Sequence, residues 1–393
     1  MLRKWKELDW PLMAVLVLFM LVSTMVVHSA IIPTPEFEGY DIRTAIFYIL
    51  GFIIVLGIAL VDYRALLKYS FVIYGIGLIM IILLFFIGAE VNGAKSWFKL
   101  PGGLLFQPAE LVKLVLILVC AYMLGKRGGE PLRFRADIIP AALIVLVPFV
   151  LVLIQPDLGN AIIYLVVFVG MLWIAGTRYK HVLIGVTTVL AALILFVTLF
   201  NTFNDQIKAS LEEQNRLHWY QRINTFLNPG EASSDDRHQS SYAIIAIGTG
   251  GLAGDGFKQG ELKNNHFIPY PYSDSIFVVI GEEFGFLGSA FVLLMYFALI
   301  YRLVRIAAAC YDKRGAYIII GIATMFIFQV YENVGMMVGL MPITGITLPF
   351  ISYGGTSLLI NMLCIGIVMS IKLHQDKYDL QNNETTTTTA PGL

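Results

Sequence analysis

The run SFVIYGIGLIMIILLFFIG, from Ser70 to Gly88, contains no charged residue. A helix needs about 20 mostly apolar residues to cross a bilayer, so this run is long enough for a transmembrane span. A second such run, PLMAVLVLFMLVSTMVV from Pro11 to Val27, lies near the beginning of the chain. The sequence therefore predicts a membrane protein built from α-helices.

The composition of the whole chain agrees with that prediction. Of the 393 residues, 58% are hydrophobic and only 14% are charged, whereas soluble domains carry about 25% charged residues. The formal net charge is zero, which gives no indication of a nucleic-acid partner. All three cysteines, Cys120, Cys310 and Cys364, lie in or beside apolar runs, so neither a disulfide framework nor a cysteine metal site is predicted.

Ten candidate spans follow one another along the chain. They begin near Trp10, Arg43, Lys68, Pro108, Asp137, Leu158, His181, Asp274, Gly315 and Gly355. We therefore expect an all-α, multi-pass membrane protein in which residues 1–378 form a single integral membrane domain. The low-complexity end, 379–393, is expected to be a disordered tail. No small-residue cleavage pattern follows the first span, so that span is expected to be retained.

The distribution of Lys and Arg predicts the orientation of these spans. If the N-terminus is cytoplasmic, the cytoplasmic segments hold 17 Lys and Arg residues, and the short external loops hold only Arg43, Lys95 and Lys99. Because cytoplasmic loops carry the excess of basic residues, both termini are predicted to be cytoplasmic. The long loop between spans seven and eight, about 204–273, is then extracytoplasmic. Its stretch 206–227 has the alternation of apolar and charged residues that would suit a surface amphipathic helix.

Ionisable residues inside the predicted spans are costly in a bilayer and are therefore candidates for function. Glu110 and Lys113, in FQPAELVKL, lie three residues apart and share one helix face. They either neutralise each other near the interface or line a functional cavity. A second polar group lies on spans eight and nine, and helix–helix hydrogen bonding is the alternative to a chemical role for its members, which are Glu282, Glu283, Gln329, Glu332 and Asn333.

Asp274 lies where the long external loop meets the eighth predicted span. A carboxylate in that position can be partly desolvated, which raises its pKa toward that of a useful general base. The alternative is a helix N-cap, a position that Asp often occupies.

The segment MPITGITLPFISYGGTS, from Met341 to Ser357, contains two prolines and three glycines between apolar spans. Such a segment cannot form a regular helix, and lipid-exposed irregular backbone is not tolerated at membrane depth. It is therefore either an external loop or a re-entrant segment that lines a cavity before the tenth span.

Four motifs occur in order along the chain: FQPAELVKL, LIQPDLGNAI, YSDSIFVVIGEEFGFLG and MPITGITLPFISYGGTS. Together they resemble the shape, elongation, division and sporulation (SEDS) family of bacterial peptidoglycan glycosyltransferases. The resemblance implies an enzyme of the bacterial cytoplasmic membrane that polymerises lipid II into β-1,4-linked glycan strands on the outer face. Lipid II is a disaccharide-pentapeptide carried on undecaprenyl pyrophosphate. Besides lipid II and membrane lipids, the implied partner is a class B penicillin-binding transpeptidase.

The resemblance also implies roles for individual residues. Asp274 matches the family's essential aspartate, although this chain has Ser273 and Ser275 around it where the family usually has Thr and Phe. Glu110 and Lys113 match a pair thought to line the central cavity. Trp97 matches an external aromatic position that is important for activity. The segment GMMVGLMPITG is closer to the rod-shape elongation branch than to the division branch, which implies a role in cell elongation and rod shape.

The chemistry implied by the resemblance needs a cation to stabilise the departing pyrophosphate. Lys113 and the external Arg222 are candidates, as is a divalent metal such as Mg²⁺ or Mn²⁺, although no dedicated metal cage is visible in the sequence. A lipid II flippase or transporter is the main alternative function, because many spans, intramembrane charges and broken helices also suit transporters. A purely structural scaffold is the third possibility. The position of the candidate residues at the outer ends of the spans favours the polymerase, with Glu283 as the candidate base after Asp274.

Overall fold

The computed structural model describes residues 7–32, 34–91, 94–100, 105–213, 220, 224 and 234–374. The predicted tail, 379–393, lies outside these residues, as does most of the predicted amphipathic stretch. The helical part of that stretch that is described ends at Glu213.

The described chain is mostly helical. The helices are α1 (Trp10–Ile31), α2 (Tyr40–Leu60), α3 (Tyr63–Lys68), α4 (Ser70–Ile87), α5 (Pro108–Leu124), α6 (Ile139–Ile154), α7 (Leu158–Ile174), α8 (Tyr179–Thr202), α9 (Asn204–Glu213), α10 (Ser234–Thr249), α11 (Glu261–Asn264), α12 (Ile276–Ala308), α13 (Lys313–Met337) and α14 (Gly355–Leu373). A small antiparallel sheet between α4 and α5 consists of β1 (Ala89–Val91), β2 (Ala94–Lys99) and β3 (Leu105–Phe106).

A helix begins within three residues of each of the predicted span starts, which confirms the multi-pass helical fold. Within the described ranges, eight helical segments are long and apolar enough to cross a membrane. They are α1, α2, α4, α5 with its continuation to Arg127, α6 with the helical turn that begins at Phe134, α12, α13 and α14. The other two predicted spans correspond to α7, with 17 residues, and α8, with 24. The count of ten spans stays a prediction.

The helix α5 lies at the centre of the bundle, since 14 of its 17 residues are buried. Around it, glycines allow neighbouring helices to approach closely. A Cβ added to Gly77 of α4 would lie 3.0 Å from Cγ2 of Val112, and one added to Gly321 of α13 would lie 2.8 Å from Cγ2 of Ile117. The motif-bearing face of α5 is therefore held inside a tightly packed bundle.

One ion cluster joins three helices at the predicted cytoplasmic end. The buried Asp9 carboxylate caps α1 by accepting from the amide of Leu12 (3.1 Å), and it also accepts from Arg302 (2.7 Å) and Lys372 (2.8 Å). Burial raises the pKa of Asp9, but these hydrogen bonds outweigh the effect and hold the pKa below its ordinary value. The charged carboxylate thus fastens α12 and α14 to the start of α1.

The helix α12 is interrupted at Gly285, where φ is 62° and ψ is −156°. The glycine-rich loop 250–256 takes up the backbone groups that the break releases. The amide of Gly256 donates to the carbonyl of Glu283 (3.0 Å), and the amide of Phe286 donates to the carbonyl of Gly251 (2.9 Å). Because unpaired backbone groups are costly within a membrane, this insertion explains how a broken helix is tolerated.

The segment between α13 and α14 is irregular, as predicted, and turns back inside the bundle. The hydroxyl of Ser23 donates to the carbonyl of Ile351 (2.7 Å), and the hydroxyl of Tyr48 donates to the carbonyl of Phe350. With a rise of 1.5 Å per residue, Ser23 lies about 12 Å along α1 from its end at Ile31. Phe350 has a φ of 64°, a strained conformation for a bulky residue. These contacts favour a re-entrant segment over an external loop.

Candidate active site

The re-entrant segment and α13 position the turn that contains Asp274. Asp274 is half-buried, and the N-cap residue of α12 is Ser275, so Asp274 does not occupy the capping position that was its alternative role. The amide of the fully buried Asn333 donates to the carbonyls of Asp274 (2.8 Å) and Ile346 (2.7 Å). One side chain of α13 therefore joins the Asp274 turn to the re-entrant segment.

Two further contacts hold the same turn through the two residues that precede Asp274. The hydroxyl of Ser352 donates to the carbonyl of Ser273 (2.6 Å), and the amide of Tyr353 donates to the carbonyl of Tyr272 (2.9 Å). Gly345, with a φ of 77°, lies beside the carboxylate, since a Cβ there would be 3.9 Å from Oδ2 of Asp274. The carboxylate of Asp274 thus faces bare backbone on that side.

Aromatic side chains surround this turn. The rings of Tyr40 and Tyr353 stack at 4.1 Å, and the Tyr272 ring packs edge-on against Tyr40 at 5.2 Å. Burial raises the pKa values of the Tyr272 and Tyr353 phenols above their usual range. The exposed Arg43 guanidinium lies 5.6 Å from the centre of the Tyr40 ring. An aromatic surface with a cation at its edge therefore lies beside Asp274.

The predicted pair of Glu110 and Lys113 is formed in the centre of the bundle. The distance from Nζ of Lys113 to Oε1 of Glu110 is 2.7 Å, and the two side chains are 0% and 6% exposed. Asp157, from LIQPDLGNAI, accepts hydrogen bonds from Gln107 (2.7 Å) and Asn160 (2.8 Å). It is close enough to Glu110 and Lys113 for their charges to interact. The first two sequence motifs therefore meet in one polar cluster.

Glu332 adds a third carboxylate to this cluster, because its charge interacts with those of Lys113 and Asp157. Glu332 is fully buried, and in the described part of the chain neither of its oxygens has a well-formed hydrogen bond, although the Thr344 hydroxyl is beside it. The cluster therefore joins buried polar side chains of α5 and α13 with the residue that caps α7. Because its Nζ lies 2.7 Å from Oε1 of Glu110, Lys113 is already neutralised.

Sequence reasoning did not select Asp157, and it did not predict the contacts of Asn333. The signal for Asp157 was its position in a polar QPDLGN stretch at the beginning of an apolar run. Asn333 had been grouped with the residues on spans eight and nine, but its two-carbonyl contact depends on a chain reversal that no local pattern reveals.

Glu283 has a different set of neighbours from Asp274. It forms a fully buried ion pair with Lys263 (2.5 Å) and accepts from the hydroxyl of Ser29 (2.6 Å). Its neighbour Glu282 accepts from the amide of Leu262 (2.6 Å). These contacts fasten α11 to α1 and α12, and a chemical role for Glu283 stays a prediction.

Trp97 is half-buried in β2, on the small sheet between α4 and α5. The adjacent Ser96 donates to the carbonyl of Gln155 (3.0 Å), and Thr356 at the beginning of α14 donates to the carbonyl of Leu105 (2.6 Å). The sheet is thereby attached at the end of the re-entrant segment. Arg222 lies outside the described residues.

The described residues do not form a site for a protein-held metal. In the ranges that the structure describes, no three His, Cys, Asp or Glu side chains converge in a way that could hold a metal ion. A site for Mg²⁺ or Mn²⁺ made only of these residues is therefore not supported.

Comparison with known proteins shows which family this chain matches. The family model of the cell cycle proteins FtsW, RodA and SpoVE matches residues 8–377. The chain belongs to this family, the SEDS family. The resemblance drawn from the four motifs is thus confirmed.

Relatives in the SEDS family match almost the whole chain. Stage V sporulation protein E of Bacillus subtilis (strain 168) is 32% identical over 371 residues, which cover 92% of this chain and 96% of that protein. A protein named "probable peptidoglycan glycosyltransferase FtsW" from Geobacter sp. (strain M18) is 33% identical over 333 residues, covering 84% and 85%.

Solved structures of SEDS proteins share the fold. A chain from a peptidoglycan synthase complex, described as coordinating polymerization and crosslinking, has a TM-score of 0.74 at 29% identity and covers 94% of this chain and 98% of its own. The rod shape determining protein RodA of Thermus thermophilus has a TM-score of 0.66 at 28% identity, covering 94% and 97%. The helical membrane fold is therefore that of the family.

Proposed function

We propose that this peptidoglycan glycosyltransferase polymerises lipid II into β-1,4-linked glycan strands on the outer face of the bacterial cytoplasmic membrane. The observation that carries the proposal is the position of Asp274. Its half-buried carboxylate lies at the predicted outer end of the bundle, in a turn held by Asn333, Ser352 and Tyr353. Family membership and the name of the FtsW relatives support the reaction class.

Asp274 is the proposed general base. The acceptor's 4-hydroxyl is a weak nucleophile with a high pKa, so a carboxylate must remove its proton as the hydroxyl attacks. The attack forms a bond to the anomeric carbon of the donor while the bond to the lipid pyrophosphate breaks. A single in-line displacement inverts the anomeric centre and converts the α-linked donor into a β-1,4 linkage. The aromatic surface of Tyr40, Tyr272 and Tyr353 offers faces for packing against sugar rings.

Among the described residues, Arg43 is the cation that we propose to stabilise the departing pyrophosphate. Lys113 is buried and paired with Glu110 at 2.7 Å, so its charge is already compensated. Arg43 is exposed and lies at the edge of the aromatic surface. A guanidinium suits a phosphate because it presents several donors in one plane. Arg222 remains a candidate on sequence grounds, and Trp97 remains a proposed contact for the substrate.

A lipid II assay on the purified protein tests this function against its alternatives. We expect the wild-type chain, in vesicles with fluorescent lipid II, to form glycan chains that a β-1,4-specific muramidase cuts to disaccharide units. Movement of lipid II between leaflets without chain formation would instead show a flippase. If neither glycan chains nor movement of lipid II were observed, a structural scaffold would remain as the function. Either of these two outcomes would overturn the proposal.

The proposed reaction requires both termini to be cytoplasmic, as the distribution of Lys and Arg predicts. We expect an impermeant thiol reagent, added from outside, to label a cysteine at Asn265 but not one at Glu130, since both positions are exposed. Cys120 and Cys364 are buried, so only Cys310 needs replacement by Ser. Labelling at Glu130 alone would reverse the topology.

The proposed role is cell elongation, with a class B penicillin-binding transpeptidase as partner. GMMVGLMPITG and the likeness to RodA support elongation, whereas the relatives by sequence are named for division and sporulation. The match to a chain of a peptidoglycan synthase complex supports the partner. Depletion of this protein from a rod-shaped host should produce round cells. Filamentous cells would instead indicate a role in division.

A further inference from the structure

A cavity of about 670 Å³ lies at the end of the bundle that is predicted to face the cytoplasm. Its walls come from α3, from the end of α5 and from the turn between α12 and α13. Its charged lining consists of one acid and four bases, which are Asp312, Arg64, Lys68, Lys313 and Arg314. We call it the basic cavity. It is separate from the residues around Asp274, which lie at the opposite helix ends.

The single acid of the basic cavity is committed to structural contacts. The Asp312 carboxylate accepts from the hydroxyl of Tyr63 (2.7 Å) and caps α13 by accepting from the amide of Arg314 (3.0 Å). Across the described part of the chain, no carboxylate lies within ion-pair distance of Lys68, Lys313 or Arg314. At Lys68, Lys313 and Arg314 the cavity therefore carries a positive charge that the described carboxylates do not neutralise.

The bases are held in fixed positions. The Arg314 guanidinium lies 5.6 Å from the centre of the Tyr122 ring, and the Lys126 ammonium lies 4.9 Å from the same centre. The stem of Arg314 occupies the space that a Cβ on Gly125 would fill. The Lys313 ammonium donates to the carbonyl of Gly128 (2.5 Å). Since like charges repel, this arrangement favours an anionic ligand that bridges them.

We propose that the basic cavity binds the phosphodiester headgroup of an anionic phospholipid. Beside the cavity, α4 exposes an apolar surface on which Phe71 is 43% and Val72 is 61% exposed, and Tyr69 at the beginning of this surface is 55% exposed. Acyl chains can lie along this surface while the phosphate enters the cavity. Basic pockets between helices on the cytoplasmic side are the usual sites for such headgroups. A soluble phosphate would use the same bases but not the surface of α4.

Thermal unfolding of the full chain in detergent micelles tests this site. Titration with phosphatidylglycerol should raise the unfolding midpoint of the wild type, whereas phosphatidylcholine should not, because a ligand that binds only the folded state stabilises it. The variant Lys68→Gln/Lys313→Gln should bind phosphatidylglycerol about 30-fold more weakly, the effect of two basic residues at a charged membrane surface. The control Arg135→Gln/Lys180→Gln removes the same charge from exposed positions on the same end and should bind normally.

The outcomes separate the sources of the phosphate. If inorganic phosphate alone raised the midpoint as much as phosphatidylglycerol, the site would take a soluble anion and the lipid assignment would be wrong. If both double variants lost binding equally, the attraction would belong to the whole surface and the cavity assignment would be wrong. Lys313→Gln also removes the contact with the carbonyl of Gly128, which could destabilise the first variant. In that case the single variant Lys68→Gln tests the site, and its affinity for phosphatidylglycerol should fall about fivefold.

Discussion

Replacing either member of the Glu110–Lys113 pair alone should destabilise the protein by about 3–5 kcal/mol, because it leaves an unpaired charge buried in the bundle. In Lys113→Met, the Glu110 carboxylate loses a 2.7 Å contact, and Asp157 and Glu332 lose the one cation of their cluster. In Glu110→Gln, the ammonium still lies near the carboxyl groups of Asp157 and Glu332. We therefore expect Lys113→Met to be the more damaging change.

The double variant Glu110→Gln/Lys113→Met should be less destabilised than the sum of the two single variants. The free energy of unfolding in mixed micelles measures this coupling. Glu130→Gln is the matched control, since Glu130 pairs with Arg127 at the same i, i+3 spacing but its side chain is 74% exposed. That variant should change stability by less than about 1 kcal/mol. Strictly additive losses for the central pair would contradict the interaction.

The helices were predictable because each apolar run is long, and the length of a run does not depend on its neighbours. The span starts near Trp10, Pro108, Leu158 and Gly355 coincide with helix starts. The break of α12 was not predictable. Gly285 occurs in an apolar run, and its role depends on a loop some 30 residues earlier that supplies the missing hydrogen-bond partners.

The candidate site was partly predictable, because local helix geometry alone fixes some of its contacts. Glu110 and Lys113 could be paired from spacing alone, because a helix fixes the geometry of i and i+3. The addition of Asp157 and Glu332 to that pair depends on how three helices pack, which local patterns do not contain. The Lys263–Glu283 pair was likewise missed, since Lys263 lies in a predicted external segment where a lysine is ordinarily solvated.

Asp274→Asn should reduce glycan formation by about 10²- to 10⁴-fold, the range expected for loss of a general base. Asn has nearly the same shape as Asp but cannot accept a proton near neutral pH. The protein should still fold, because Asn333 and Ser352 bind the main-chain carbonyls of residues 274 and 273 and leave the carboxylate out of their contacts. A structural role would therefore leave the rate nearly unchanged, whereas a catalytic role would not.

The control for this variant is Asp255→Asn, which alters an exposed carboxylate in the same predicted external segment. The main-chain amide of Asp255 donates to the carbonyl of Glu282 (3.0 Å), and this contact survives the substitution. Glycan formation by Asp255→Asn should stay within about twofold of the wild type, as expected of a carboxylate that takes no part in proton transfer.

The most direct test is the initial rate of glycan formation from lipid II by purified wild type, Asp274→Asn and Asp255→Asn at matched amounts. The transpeptidase partner is present in each reaction, with its active serine blocked. We expect all three proteins to elute as folded complexes, with only Asp274→Asn nearly inactive. Near-normal chain formation by Asp274→Asn would remove Asp274 from the mechanism and make Glu283 the next candidate base.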